Sequence, residues 1–311
     1  MFDEYEYLYD AASTAAIGRR DLQEDAIVMH FPEGSGLGYV VLADGMGGHA
    51  AGDVASKIVV QEFFAALRQH LEDPANLERN MGAILRDAMD RANDEVARRA
   101  ADWPDQTGMG STLVAPLIVR NRLYWISVGD SPLYLLRGSR LTRLNQEHSM
   151  ARRLDRMVLN GQLSQKDADR NPDRDCLTSV LLGANVPEID CRDQPLDLAY
   201  GDVLIVASDG LLFIDEQRIA GVVYDNRDRT SAEISALLLQ EIRSQDDPYQ
   251  DNVSIGVIKV GRPEAVAPHI VRPVADIVAP HPTLVRRTTI HLHVARKGNL
   301  VSRSYSLESE G

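Results

Sequence analysis

The chain has 311 residues, of which 44% are apolar and 25% charged, enough for a sizeable buried core in one large domain or two. Its net charge of −13 at pH 7 argues against nucleic acid as the main partner. No run is long and apolar enough to span a bilayer. The two cysteines, Cys176 and Cys191, match no metal or redox spacing, which favours free thiols in a reducing compartment. The acidic start, Met1-Phe-Asp-Glu-Tyr-Glu-Tyr, is unlike the basic start of a signal peptide, so a cytoplasmic protein is expected. Residues 261–311 hold seven Lys/Arg against four Asp/Glu; this surplus of three positive charges leaves −16 on the rest. Such an acidic body implies a solvated surface or a set of acids that needs divalent cations.

In chain order, residues 11–18 read as a weak strand. The charged patch Arg19-Arg20-Asp21-Leu22-Gln23-Glu24-Asp25 follows, then an apolar strand over 26–31. Taken alone, the patch reads as an exposed loop. After a turn at 32–38, residues 39–43 form a buried strand that ends at Asp44, with a glycine turn, Gly45-Met46-Gly47-Gly48, behind it. A helix is expected over 50–71, with Val54, Ile58, Phe63, Phe64, Leu67 and Leu71 near helical spacing. Two readings compete for this stretch. Gly45-x-Gly47-x-x-Ala50 fits a dinucleotide-binding fingerprint, with Glu62 as the ribose acid. In the other reading Asp44 is a metal ligand and Gly45 lets the backbone approach the ion. Asp44 counts against the first, because its carboxylate would repel a pyrophosphate.

A second long helix is expected over 77–101, its apolar face carrying Met81, Ile84, Leu85, Met89 and Val96 as core residues, with Asp73-Pro74 separating it from the first. Residues 111–119, 123–128 and 133–136 read as an antiparallel meander, with Asp130 in its second turn, where the default role is turn former. A short helix at 150–159 and a capped turn over 161–172 form an insertion of the lid or binding-loop type. Residues 203–207 are again a buried strand running into Ser208-Asp209-Gly210. Helices follow at 215–223 and 231–243, and Asp251-Asn252 opens a strand over 253–260. One Asp-Gly after a strand means little. Two of them, plus an Asp-Asn at the mouth of a third strand, form a constellation. Beyond it, the prolines of 262–282 read as a linker. Residues 285–295 and 300–307 read as a β-hairpin that is marginal alone. His291 and His293 share a strand face there, read as solvated.

Asp44, Asp209 and Asp251 are hard oxygen donors suited to Mg²⁺ or Mn²⁺, and carboxylates crowded together require bound cations. Arg20, with a fork that matches phosphate oxygens, is the candidate clamp. The ordered set Arg20-x-x-x-Glu24-Asp25, Asp44-Gly45-Met-Gly47-Gly48-His49, Gly110-Ser111-Thr112, Val128-Gly129-Asp130-Ser131, Ser208-Asp209-Gly210 and Asp251-Asn252-Val253-Ser254 resembles the metal-dependent serine/threonine protein phosphatases, the PPM or type 2C family, over about residues 10–260. The Asp-Gly-Met-Gly-Gly-His form is similar to that of the bacterial branch.

The resemblance implies an α+β fold, a four-layer αββα sandwich of two antiparallel sheets flanked by pairs of helices. It implies hydrolysis of phosphoserine and phosphothreonine in proteins by a hydroxide bridging two Mn²⁺ or Mg²⁺ ions, with a third ion in bacterial members. Asp44 would bridge the two ions and the Gly45 carbonyl would bind one. Asp209 and Asp251 would complete the other site. Glu24 and Asp25 would hold metal-bound waters or stand in the layer behind the ligands, Arg20 would hold the substrate phosphate, and Asp130 with Asp209 the third ion. The expected partners are phosphoproteins and a serine/threonine kinase whose action the enzyme opposes. The alternative is a pseudophosphatase that binds phosphoproteins as a regulatory module. The chain departs from the family at Met46, where animal members carry a histidine. It departs again at Asn171-Pro172 and Thr178-Ser179 of the flap (residues 160–183), where His-Pro and Thr-Arg are common. The expected organisation is a phosphatase domain over 1–260, a linker over 261–282 and an extension over 283–311 that docks partners.

Overall fold

Two apolar runs buried on both faces set the architecture. The computed structural model describes residues 5–6, 9–32, 35–47, 51–261, 264–265, 286–296 and 299–309. The chain begins with β1 (Tyr5–Glu6), β2 (Tyr9–Ala16), β3 (Asp25–His30) and β4 (Leu37–Met46), followed by α1 (Ala51–Arg68), α2 (Pro74–Arg79) and α3 (Met81–Asp102). Next come β5 (Gly110–Ser111), β6 (Leu113–Val119), β7 (Arg122–Val128), β8 (Leu133–Arg137) and β9 (Arg140–Arg143). Then follow α4 (Met150–Leu159), α5 (Gln165–Asp169), β10 (Asp190–Asp197), β11 (Val203–Ala207), α6 (Glu216–Asp225), α7 (Ser231–Ser244) and β12 (Val253–Val260). β13 (Glu264–Ala265), β14 (Arg286–Arg296) and β15 (Asn299–Ser309) end the described chain.

The strands make two large sheets. One has the order β10-β7-β6-β4-β3, with β5 on the end of β4; the other has the order β15-β14-β2-β12-β11-β8-β9. Neighbours are antiparallel, except that β14 meets β2 in a single parallel pairing, Val294 with Ala15. β14 and β15 pair antiparallel from Arg286 with Ser309 to Arg296 with Asn299.

The side-chain period of two sorts β4 between layers. Tyr39, Val41 and Ala43 pack with Val59 and Phe63 of α1 and Leu85 and Met89 of α3. Val40 and Leu42 point the other way and join Leu204 and Val206 of β11 and Ile258 of β12 between the sheets. β11 repeats the pattern: Val203, Ile205 and Ala207 pack with Ile219 of α6 and Leu238 of α7. Both faces of β4 and β11 are covered, so these strands read as continuous apolar runs rather than alternating ones. The result is an α+β sandwich of helix, sheet, sheet and helix.

Several local expectations are corrected. The second helix is two helices, because the Asn80 amide bonds the carbonyl and side chain of Asn76 and competes with the helix backbone. Asp73-Pro74 starts α2, with Asp73 accepting from the Asn76 N–H, rather than merely separating helices. The three-strand meander does not exist: β6 and β7 lie in one sheet and β8 in the other. The crossing turn uses Gly129 at φ +103°, a conformation side chains disfavour. Most of the expected linker, 262–263 and 266–282, and His49 with its neighbours Gly48 and Ala50 lie outside the described residues, while Glu264–Ala265 within it pairs antiparallel with β1.

Phe63 is fully buried between α1 and the sheet. Phe63→Ala should lower unfolding stability by about 3–5 kcal/mol in urea titrations; a loss under about 1 kcal/mol would contradict this packing.

Candidate active site

Strand register brings the acids to one end of the sandwich. Asp25 and Asp44 are directly paired across β3 and β4. Asp44 has the same parity as Val40 and Leu42, so it lies on the side of β4 that faces the second sheet. On that sheet β11 and β12 are neighbours, with Ala207 opposite Ile255. Ser208 and Asp209 directly follow β11, and Asp251 precedes β12 by two residues. Asp130 sits in the turn that crosses between the sheets.

The electrostatics report the convergence. Burial, then the charges of Asp25, Asp209, Asp130 and Asp251, raise the Asp44 carboxyl well above the usual range. Burial pushes Asp25 up to about 7, although the hydrogen bond from Ser208 opposes the shift. Asp130 is also pushed up to about 7, by burial and then by Asp209. Asp209 is raised by burial and by Asp251, with Arg20 opposing. Desolvation and like charge therefore act together on Asp25, Asp44, Asp130 and Asp209, with Asp251 beside them. Glu24 is raised mainly by partial burial, with Arg20 opposing.

Hydrogen bonds fix the carriers of these acids. The Asp44 N–H donates to Thr112 Oγ1 at 3.0 Å, and the Thr112 N–H returns a bond to the Asp44 carbonyl at 2.8 Å. Ser111 Oγ donates to that same carbonyl at 2.9 Å, and Thr112 Oγ1 lies 2.9 Å from Ser131 Oγ beside Asp130. Buried Asn252 holds the Arg20–Glu24 loop by three bonds. Its Nδ2 donates to the carbonyls of Ile17 at 2.8 Å and Leu22 at 2.9 Å, and its Oδ1 accepts from the Glu24 N–H at 2.7 Å. Ser208 Oγ donates to Asp25 Oδ2 at 2.7 Å. The Thr112 and Asn252 motifs were visible in the sequence, but these positioning roles were not. His148, whose Nδ1 accepts from the Gly129 N–H at 3.1 Å, left no signal at all.

The structure changes the reading of Gly45. No turn follows Asp44; β4 runs on to Met46 and pairs with β5. A Cβ at Gly45 would stand 1.9 Å from the Gly52 carbonyl oxygen, so glycine is required for close approach to α1. A Cβ at Gly52 would in turn lie 2.8 Å from the Gly45 oxygen and 2.4 Å from Glu24 Oε1, which puts that carbonyl and that carboxylate side by side.

Arg20 is exposed, and its Nη2 donates to Asp251 Oδ2 at 2.5 Å. It is engaged by the acid cluster rather than standing free. Met46 is 40% exposed. The flap carries α5, capped by Ser164, and returns through a pairing of Ser111 with Leu181. Thr178 and Ser179 both bond Glu188, so they are held within the flap root.

The donor set fits hard divalent cations. Asp25 Oδ1 is buried without a hydrogen-bond partner, and carboxylates and a carbonyl are the ligands such ions prefer. Among the described residues, no three acidic, His or Cys side chains stand arranged as a closed metal cage. The acids are instead kept near one another by the fold, with Asp251 ion-paired to Arg20 and Asp25 bonded by Ser208. No helix among the described residues is long and apolar enough to cross a membrane.

A family model described as protein phosphatase 2C matches residues 13–238. The serine/threonine protein phosphatase PstP of Mycobacterium tuberculosis is 37% identical over 180 residues, 57% of this chain and 32% of PstP. The chain thus spans about a third of that relative's length. The serine/threonine phosphatase Stp of Listeria monocytogenes is 31% identical over 222 residues, 71% of this chain and 83% of Stp. A crystal structure of the PstP catalytic domain in complex with two manganese ions is 28% identical with a TM-score of 0.62, covering 83% of this chain and 100% of that one.

Asp25 has a native pKa of about 7 against an ordinary value of 3.8. Between these values the native state binds more protons than the unfolded state, so the metal-free protein loses stability as pH rises. Thermal melts should show wild type falling relative to Asp25→Asn from about pH 5 to about pH 7.5. Added Mn²⁺ should raise the wild-type Tm more at the higher pH. A pH-independent difference between wild type and Asp25→Asn would contradict the burial of an unpartnered carboxylate.

Proposed function

This chain belongs to the protein phosphatase 2C family, and from that premise we propose that it is a metal-dependent phosphatase acting on phosphoserine and phosphothreonine in proteins. The observation that carries the reading is the convergence of Asp25, Asp44, Asp130, Asp209 and Asp251, in which burial and neighbouring carboxylates raise the proton affinity of the first four. Five acids gathered at one site, with the Gly45 carbonyl and one arginine beside them, suit cation-assisted phosphoester chemistry.

In this reading Asp44 and the Gly45 carbonyl hold two Mn²⁺ or Mg²⁺ ions together with Asp209 and Asp251, while Asp130 and Asp209 hold a third. The ions, when bound, would supply Lewis acidity toward the phosphoryl oxygens and an activated water. Glu24 and Asp25 orient water from the second layer. Arg20 exchanges its Asp251 partner for two phosphate oxygens and aligns the ester for attack. Met46 carries no transferable proton, so the leaving oxygen takes its proton from water. Thr112, Ser111 and Asn252 keep the carriers of these groups in place.

The wider proposal is that the enzyme reverses the work of a bacterial serine/threonine kinase. Residues 1–260 form the phosphatase domain, 261–282 link it to an extension, and 283–311 dock partners rather than serve the chemistry.

Two assays test this. Phosphate release from p-nitrophenyl phosphate and from a phosphothreonine peptide should require Mn²⁺ or Mg²⁺ and stop with a chelator. Asp44→Asn should lower kcat by at least about a hundredfold. Full activity in that variant would refute the metal assignment, and metal binding without turnover would favour the non-catalytic module. Deleting residues 261–311 should leave p-nitrophenyl phosphate turnover nearly intact; a collapse would mean that the extension supports the core.

A further inference from the structure

A polar cavity of about 420 Å³ lies at the root of the flap. It is lined by the arginines of α4, Arg152, Arg153 and Arg156, with Glu147, His148 and Glu188 opposite. The sequence of α4 explains the lining: Leu154 is the helix's buried anchor, which leaves these arginines on its solvent side.

The charges in the cavity do not cancel. Glu188 pairs with Arg153 at 2.6 Å and accepts from Thr178 Oγ1 at 3.1 Å. Glu147 pairs with Arg143 at 2.7 Å and also accepts from Ser149 Oγ. Both acids are thus satisfied. Arg152 makes only a 3.5 Å bond to the Glu147 carbonyl, and neither Arg152 nor Arg156 has a carboxylate partner among the described residues. A pair of guanidinium groups four positions apart on one helix face is left facing a concave polar space. Isolated surface arginines are ordinary; here two without a carboxylate partner line one cavity of an acidic protein.

The cavity is connected to the acid cluster. His148 exchanges hydrogen bonds with Gly129, whose neighbour Asp130 belongs to the cluster. The His148 carbonyl accepts from the Thr178 N–H, and Arg174 of the flap pairs with Asp155 of α4 at 2.9 Å. The flap then runs to Leu181, bonded to Ser111, which supports the Asp44 carbonyl. One wall of the cavity is therefore continuous with the flap and the turn bordering the proposed metal centre. An acidic polypeptide segment would be repelled by the uncovered acids of that centre and attracted by these arginines, whose forks match carboxylates in pairs.

We propose that Arg152 and Arg156 form a docking subsite for aspartate and glutamate side chains that flank the phosphoresidue of the substrate, so that the enzyme favours phosphosites in acidic sequence. This rests on the phosphatase reading above. The subsite acts on substrate binding and leaves the chemistry at the aspartate cluster unchanged.

The test uses the full chain with Mn²⁺ and two phosphothreonine peptides, one flanked by Asp and Glu and the other by Asn and Gln. Wild type should show a kcat/KM about tenfold higher for the acidic peptide, carried by KM; this equals about 1.4 kcal/mol. In the double variant Arg152→Gln, Arg156→Gln that preference should vanish, while kcat on the neutral peptide shows the centre still assembled. Arg152→Lys, Arg156→Lys should restore part of it. Fluorescence anisotropy of the same labelled peptides reads the preference without turnover, so an inactive enzyme with intact acidic preference would sink only the phosphatase reading. Equal affinity of wild type for both peptides, or an undiminished preference in the glutamine variant, overturns the subsite.

Discussion

Mutual repulsion among carboxylates is the constraint on which this structure turns. Two unit charges about 4 Å apart near a protein surface cost about 4 kcal/mol, and five aspartates share this site. Such a cluster persists in a folded chain only if protons, an arginine or cations neutralise it. Protons and Arg20 do so here, through the raised Asp44 and Asp209 carboxyls and the Arg20–Asp251 pair. Divalent cations are the stronger and chemically useful alternative. A fold that holds the acids together against their repulsion has to be stiff exactly where they sit.

The sandwich supplies that stiffness. β4 and β11 are buried on both faces, so their ends are positioned by helices on one side and by the opposing sheet on the other. Asp44 lies just inside the end of β4 and Asp209 two residues beyond β11, while Asp25 opens β3 and Asp130 and Asp251 lie two residues from the ends of β7 and β12. The remaining freedom is removed by short polar side chains. Thr112 and Ser111 grip the Asp44 backbone, Asn252 grips the Arg20–Glu24 loop, and Ser208 grips Asp25. These residues touch no substrate in the proposed chemistry, and the reacting geometry depends on them.

Much of this could be read from the residues. The repeated pattern of an apolar strand ending in Asp-Gly located the centre, because a strand buried on both faces leaves a continuous apolar signal. The long amphipathic faces of α1 and α3 were equally clear. Elements without such a signal were missed. β10 is an exposed edge strand with the polar sequence Asp-Cys-Arg-Asp-Gln-Pro-Leu-Asp, and β9 has only Leu141 as an aliphatic side chain. The break at Asn80 depends on a side-chain hydrogen bond that periodicity does not contain. The passage of β7 to β8 between sheets is a tertiary choice, and a local run of strands reads the same either way. Gly45 reads as a turn residue because Asp-Gly usually marks one; pairing with β5 keeps it in the strand. The arginines of α4 carried no motif, and their significance comes from the cavity that tertiary packing builds around them.

The central claim, that the aspartates are held for divalent cations, is tested most directly by calorimetric titration of Mn²⁺ into the metal-free chain at about pH 6.5, in two buffers of different ionisation enthalpy. The account predicts saturable binding with net proton release, because carboxyls with raised pKa must give up protons to bind the ion. It also predicts much weaker binding in Asp209→Asn. Absence of binding, or binding without proton release that Asp209→Asn leaves unchanged, would contradict it.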